Sequence, residues 1–131
     1  MIRWLIGAIG LTVATTQAFA ADPLEIGIGY ISQARVQSTL SLVEQPAENN
    51  GVAGAQLAIE DNNTTGKFLN QHFTLTEVRL KQGDDPVKAA SALAEHDGFI
   101  IVDLPADDLL KVADALKDRG TVLLDAGSID D

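Results

Sequence analysis

Apolar and polar residues alternate along the chain in blocks that predict strands and helices in turn. Leu24–Tyr30 alternates apolar residues with small or polar ones, and Phe73–Leu80 alternates them with threonines, so both segments are predicted to be strands. Phe99–Val102 and Thr121–Leu124 are continuous apolar runs, a pattern typical of strands that are covered on both faces.

The first helix is predicted between the first two strands. Asn49 or Asn50 can cap its N-terminus, and an apolar stripe follows at helical spacing. We expect the helix to stop within Asn62–Gly66, with Gly66 in the left-handed conformation that ends many helices. The apolar stripe of this helix consists of Val52, Ala55, Ala58 and Ile59.

Two further helices have clear boundary signals. Asp85 can cap the second helix, with Pro86 at the first helical position. Pro105 opens the third helix, and Arg119-Gly120 closes it. Their apolar stripes are Val87, Ala90, Leu93 and Ala94 in the second helix, and Leu109, Val112, Ala113 and Leu116 in the third.

The resulting order, β-α-β-α-β-α-β, predicts an α/β fold with a parallel sheet and crossover helices, Rossmann-like or flavodoxin-like. A strand order of 2-1-3-4 fits, with the switch point between the first and third strands. The third and fourth strands are the best candidates for central positions. The second strand, with one solvated face, is expected at an edge.

The first twenty residues predict a secretory signal peptide. Arg3 supplies a short positive region, Leu5–Ala14 an apolar core, and Ala18-Phe19-Ala20 a cleavage site, with the cut expected after Ala20. A membrane anchor is the alternative, but a spanning helix needs roughly 20 apolar residues and this run is shorter. The bacterial style of the signal indicates a periplasmic protein, with residues 21–131 as the mature chain.

Composition excludes several classes of function. The chain has 131 residues with 9 Lys and Arg against 19 Asp and Glu, a net charge of −10, which argues against nucleic acid or an anionic membrane surface as a partner. There is no cysteine, so disulfide scaffolds, thiolate metal sites and Cys nucleophiles are excluded. With only 2 histidines, a His-rich metal site is excluded as well, and we expect no metal or cofactor.

Known catalytic motifs are missing from the chain. Gly27-Ile28-Gly29 resembles the start of a dinucleotide fingerprint, but its glycines lie inside the strand and no third glycine opens a helix. Neither a Walker loop nor a G-x-S-x-G elbow occurs. Asp107-Asp108 could be a carboxylate pair, although stabilising a helix N-terminus is the simpler role. His72 and His96 are expected at the surface.

Ligands of open parallel sheets bind beyond the carboxyl ends of the strands, near the switch point. The loops there hold hydroxyl, amide and carboxyl groups next to helix N-termini with unpaired N–H groups. The predicted ligand-binding residues are Ser32, Gln33, Asp103, Ala106, Asp107, Gly127 and Ser128.

The stretch 33–48 is long for a connection in such a fold. A lid or binding loop over the ligand is one interpretation, and a surface insertion without function is the other.

Several segments together resemble a known family. Ile26–Tyr30 and Gly51–Asn63 are similar to the opening of type I periplasmic substrate-binding proteins, whose first helix carries a G-x-x-x-A-x-x-x-x-N pattern. Asp85–Ala90 is similar to the D-P-x-x-A segment of the second helix, and Gly127-Ser128 falls at a small-residue loop of the family. Asn62–Phe68 most resembles the subgroup associated with pyrroloquinoline-quinone-dependent alcohol oxidation.

The resemblance implies a two-lobed protein, not an enzyme, that closes on a small ligand and delivers it to an inner-membrane ABC permease. Residues 21–131 would supply an incomplete N-terminal lobe. Amino-acid receptors of this family hold the ligand carboxylate with hydroxyl and N–H groups after the third strand. Here Pro105 has no N–H group, and Asp103 and Asp107 would repel a carboxylate, so a neutral or cationic ligand fits better.

Three hypotheses remain open at this point. The first is the solute-binding component of a transporter. The second is an accessory protein of a periplasmic quinone-dependent alcohol dehydrogenase, without a role in transport. The third, a small flavodoxin-like enzyme, has no cofactor signature to support it.

Overall fold

The structure is a computed structural model that describes residues 22–34 and 49–127. The predicted signal peptide and most of the 33–48 stretch lie outside these residues, so their predicted roles stay predictions. The described part alternates strands and helices in the predicted order: β1 Leu24–Gln33, α1 Asn50–Leu69, β2 Gln71–Leu80, α2 Pro86–Leu93, β3 Phe99–Asp103, α3 Ala106–Leu116 and β4 Val122–Asp125.

The four strands form one sheet in the order β2-β1-β3-β4, and all pairs are parallel. Both the α/β fold class and the switch point between β1 and β3 are therefore confirmed, as is the edge position of β2. The central position predicted for the fourth strand is wrong. Within the described residues β4 is the other edge, and its Val122 and Leu124 are 45% and 48% exposed. A continuous apolar run shows that a strand is hydrophobic, but it does not show that other strands pair with it on both sides.

The boundaries of α2 follow the predicted chemistry. One carboxylate oxygen of Asp85 accepts hydrogen bonds from the backbone N–H groups of Val87 at 2.9 Å and Lys88 at 3.3 Å. Pro86 takes the first helical position, where no intrahelical N–H bond is lost. The chain leaves α3 through Gly120, whose φ of +74° is a conformation that glycine adopts at little cost.

Gly66 does not end α1, contrary to the sequence prediction. The helix continues to Leu69, and Asn70 takes the left-handed conformation instead, with φ 54° and its N–H donating to the carbonyl of Gly66. Gly66 is buried because β2 starts directly against it: a Cβ at this position would lie 2.7 Å from the carbonyl oxygen of Gln71. The glycine therefore permits a close approach between helix and strand, while Asn70 makes the turn.

One face of the sheet carries the hydrophobic core. Alternate residues of the strands point toward α2 and α3, where Ile100, Val102 and Val112 are completely buried. The stripes predicted for α2 and α3 contribute to this core, whereas the stripe predicted for α1 lies on the opposite face of the sheet. Its buried members are Ile31, Leu80, Ala90, Leu93, Ile100, Val102, Leu104, Val112 and Leu116.

The opposite face is only partly covered by the described residues. Here α1 packs mainly on β2 and leaves an apolar cavity of about 160 Å³ between helix and sheet. The cavity is lined by Ile28, Ala55, Ala58, Ile59, Asn62, Phe73, Leu75 and Ile101.

Two hydrogen bonds from the side chain of Asn63 connect α1 to the outer edge of β2. Its side-chain amide donates to the carbonyl oxygen of Phe73 at 2.9 Å, and its side-chain oxygen accepts from the N–H of Phe73 at 2.8 Å. The side chain thus satisfies two backbone groups, as a neighbouring strand would. Its neighbour Asn62 only donates to Ala58 of the same helix, at 2.8 Å.

Candidate functional site

The predicted site residues lie at the carboxyl edge of the sheet, as the topology requires. Ser32 near the end of β1 and Asp103 at the end of β3 are direct partners in the parallel register, and both are half-buried. Paired residues of neighbouring strands point to the same face, which here is the face of α1. The sheet therefore brings these two predicted residues together.

Tyr30 is a member of this group that the sequence analysis did not select. It is 3% exposed, and its hydroxyl donates to a carboxylate oxygen of Asp103 at 3.2 Å. Because buried phenols need a partner for their hydroxyl, the bond fixes the position of the carboxylate at the end of β3. Tyr30 lies two residues before Ser32 in the same strand, so both side chains are on one face of the sheet. This spacing is the sequence signal from which Tyr30 could have been predicted.

The N-terminus of α1 approaches the same group. A Cβ on Gly51 would collide with the Tyr30 hydroxyl and would lie 3.6 Å from a carboxylate oxygen of Asp103. Asn49 precedes the helix without a capping hydrogen bond from its side chain. The N–H groups in the first turn of a helix have no intrahelical partner. Gly51 therefore lets backbone donors come close to the phenol and the carboxylate.

A charged residue of β2 completes the row across the sheet. Arg79 pairs with Ser32 in the register, just as Ser32 pairs with Asp103. Along the carboxyl edge the side chains on the α1 face thus run from a guanidinium through a hydroxyl to a carboxylate. A ligand lying across this row meets positive charge at β2 and negative charge at β3.

Gln33 does not join the row. It follows Ser32 in β1 and pairs with Leu80, so its side chain belongs to the face of α2 and α3. Sequence reasoning grouped Ser32 and Gln33 by their position at a strand end, but the pleat separates them.

The loop after β3 places two further predicted residues at this edge. Leu104 is completely buried, and Ala106 and Asp107 follow it as exposed residues at the start of α3. Asp108 forms an ion pair with Lys111 one turn later, at 2.8 Å. Asp107 and Asp108 thus lie in the first turn of α3, as expected for carboxylates that stabilise a helix N-terminus.

The residues directly after β4 stay bonded at the carboxyl end of the sheet. The N–H of Ala126 donates to the carbonyl of Val102 at 3.0 Å, and the N–H of buried Gly127 donates to the carboxylate of Asp125 at 3.0 Å. Ser128, the last predicted ligand contact, lies outside the described residues.

The described residues contain no group of three or more His, Asp and Glu side chains that could hold a metal ion. In the same ranges, no helix combines the length and apolar character needed to cross a bilayer. Comparison with known proteins gives no match, either to a family model or to a curated protein.

Proposed function

We propose that this protein is a periplasmic solute-binding component of an ABC transporter, of the type I class that its sequence resembles. A small ligand would bind at the carboxyl edge of the sheet and be handed to an inner-membrane permease. Support comes from the segments quoted above and from the switch point between β1 and β3, where ligands of open parallel sheets bind.

The observation that carries the proposal is the cluster of Tyr30, Asp103 and Gly51. A buried phenol orients a half-buried carboxylate, and the glycine gives the first turn of a 20-residue helix access to both. The elements that hold these groups are strands and a long helix, so the polar atoms are positioned before a ligand arrives.

The electrostatics of the row favour one orientation of the ligand. A positive or hydrogen-bond-donating group belongs at Asp103, and a negative group is acceptable only toward Arg79, two strands away. Pro105 offers no N–H donor beside β3, and Asp107 adds a second negative charge. The fitting ligands are therefore small neutral or cationic molecules, and zwitterions with the cation at β3.

Thermal unfolding of the full chain with a panel of small amines, amino acids, uncharged polar solutes and amine-free carboxylates tests the proposal. We expect stabilisation by members of the first three groups only, growing with ligand concentration. Asp103→Asn should abolish the shift, whereas Asp118→Asn, an exposed carboxylate after α3, should keep it. Stabilisation by amine-free carboxylates alone would contradict the proposed orientation. No response to any solute, with co-purification of a periplasmic dehydrogenase, would favour the accessory role instead.

A further inference from the structure

A second notable carboxylate, Asp97, lies at the other end of the sheet, between α2 and β3. It is 5% exposed, although it follows a turn in which Glu95 and His96 are exposed. Its backbone N–H donates to the carbonyl of Leu93 at 2.8 Å, which ties the residue to the end of α2. The side chain is thereby directed into the fold and not toward solvent.

The two glycines of β1 make the space for this carboxylate. A Cβ on Gly27 would lie 2.5 Å from one Asp97 carboxylate oxygen, and a Cβ on Gly29 would lie 3.3 Å from the other. The Gly27-Ile28-Gly29 segment, which superficially resembles a nucleotide fingerprint, therefore accommodates a side chain of the same protein. No larger residue fits at Gly27 without displacing the carboxylate.

The surroundings of the inner carboxylate oxygen are apolar. A Cβ on Gly29 would touch this Oδ2 atom, the Leu93 side chain and the Ile100 side chain at the same distance, 3.3 Å. Oδ2 is buried and has no hydrogen-bond partner. An ionised carboxylate is costly in such a position, because its inner oxygen has lost contact with water without gaining a hydrogen bond in exchange.

We propose that Asp97 is a protonation switch at the junction of α2 and β3. The neutral carboxyl group stays folded into the recess above Gly27 and Gly29, whereas the ionised group favours opening of the junction to water. Opening would loosen the amino end of β3 against β1, while the polar cluster at the carboxyl edge lies at the far end of the same strands.

The charged groups that face the recess come from three elements. Glu25 of β1 and His72 of β2 are register partners on this face, and they form an exposed pair with 2.6 Å between Nδ1 and Oε2. His96 and Glu95 belong to the turn after α2. The side chain that α2 itself places at the recess is Leu93, which is uncharged.

These surroundings fix the direction of the pH effect. Burial raises the pKa of Asp97 above the ordinary 3.8, and this outweighs a hydrogen bond from Thr76 and the charge of His96, both of which lower it. The folded state then binds a proton that the unfolded state has released. The contribution of Asp97 to stability is therefore complete below about pH 4 and is lost as pH rises through the pKa of the folded state.

Urea unfolding of the full chain from pH 4 to pH 8 tests the switch, with Asp97→Asn against the original protein. The amide is close in shape and cannot ionise. We expect similar midpoints near pH 4 and a variant midpoint that becomes progressively higher than that of the original protein as pH rises. Asp118→Asn, which removes an exposed carboxylate, should show no such divergence. A midpoint difference that stays constant across the range would overturn the proposal.

Two measurements on the unmodified protein keep the test decisive if Asp97→Asn does not fold. The side-chain carboxyl carbon of Asp97 should titrate above 3.8 in an NMR experiment, and a midpoint at or below that value rejects the switch. Hydrogen-exchange protection at Phe99 and Ile100 should fall with rising pH relative to Val112 in α3. Equal protection changes at all three amides would mean that the junction does not open locally.

Discussion

The two faces of the sheet are packed very differently. Toward α2 and α3, side chains such as Ile100 and Val102 are completely buried, and Leu123 of β4 packs against the same core. Toward α1, Phe99 and Leu124 remain 42% and 48% exposed, and a cavity separates the helix from the strands. Apolar residues contribute to both faces, so their presence alone does not make the difference. Among the described residues, α2 and α3 cover one face, whereas α1 alone covers the other and packs mainly on β2.

The same contrast holds for the two edges. At the edge formed by β2, the side chain of Asn63 bonds to both backbone groups of Phe73. At the other edge, β4 reads Val122-Leu123-Leu124-Asp125, with no proline or lysine to prevent further pairing. The candidate ligand cluster lies between these edges, on the central strands β1 and β3.

The largest effect should come from truncating the covered face. Ile100→Ala removes a completely buried side chain, and we expect a loss of roughly 2–5 kcal/mol in the free energy of unfolding, from lost burial and a residual cavity. Leu124→Ala on the open face should cost much less, because half of the side chain already contacts water. Urea denaturation of both variants measures the contrast, and equal losses would show that the open face is covered in solution.

The sequence predicted well what depends on local signals. The Asp85-Pro86 pair and the apolar stripe after it were sufficient to predict the position of α2. The alternation of strands and helices along the chain was sufficient to predict a parallel sheet. It failed where the cause is a contact between distant residues. Glycine commonly ends helices, so Gly66 was predicted to end α1. Its actual role is to let the carbonyl oxygen of Gln71 approach the helix closely.

The candidate site shows the same limit. Strand ends could be located by periodicity, so Ser32 and Asp103 were found together. Tyr30 was missed because its importance depends on a hydrogen bond across two strands, and Asp97 was missed because an aspartate before glycine is ordinary in a turn. The recess that makes Asp97 unusual is formed by residues about seventy positions earlier, and no local pattern records that proximity.

A smaller effect is expected at the protected edge. Asn63→Ala removes both hydrogen bonds to Phe73 and exposes the edge of β2, so we expect a loss of about 1–3 kcal/mol. Asn62→Ala is the matched control: its amide bonds within its own helix, and the residue is exposed although it also borders the cavity, so the change should stay within about 0.5 kcal/mol. Thermal and urea unfolding of the two neighbours separates them. Equal effects would mean that the two hydrogen bonds to Phe73 add no stability beyond what the neighbouring asparagine of the same helix contributes.

The weakest effect on folding, and the clearest on association, is expected at β4. An edge with exposed Val122 and Leu124 can pair with another chain. Residues 21–131 lack Arg3 and carry 19 acidic and 8 basic residues, so their net charge of −11 opposes contact by repulsion that salt screens. Residues 21–131 should therefore sediment partly as oligomers, with a larger fraction at high salt.

Leu124→Lys should reduce the oligomeric fraction by placing a charge on the edge strand. Leu110→Lys is the control for the change in net charge, because it adds the same charge at a leucine of α3 that is 67% exposed. This variant should keep most of the association. A sharp monomer of the unaltered chain at both salt concentrations would show that the β4 edge is protected, and the two edges of the sheet would then be equivalent in solution.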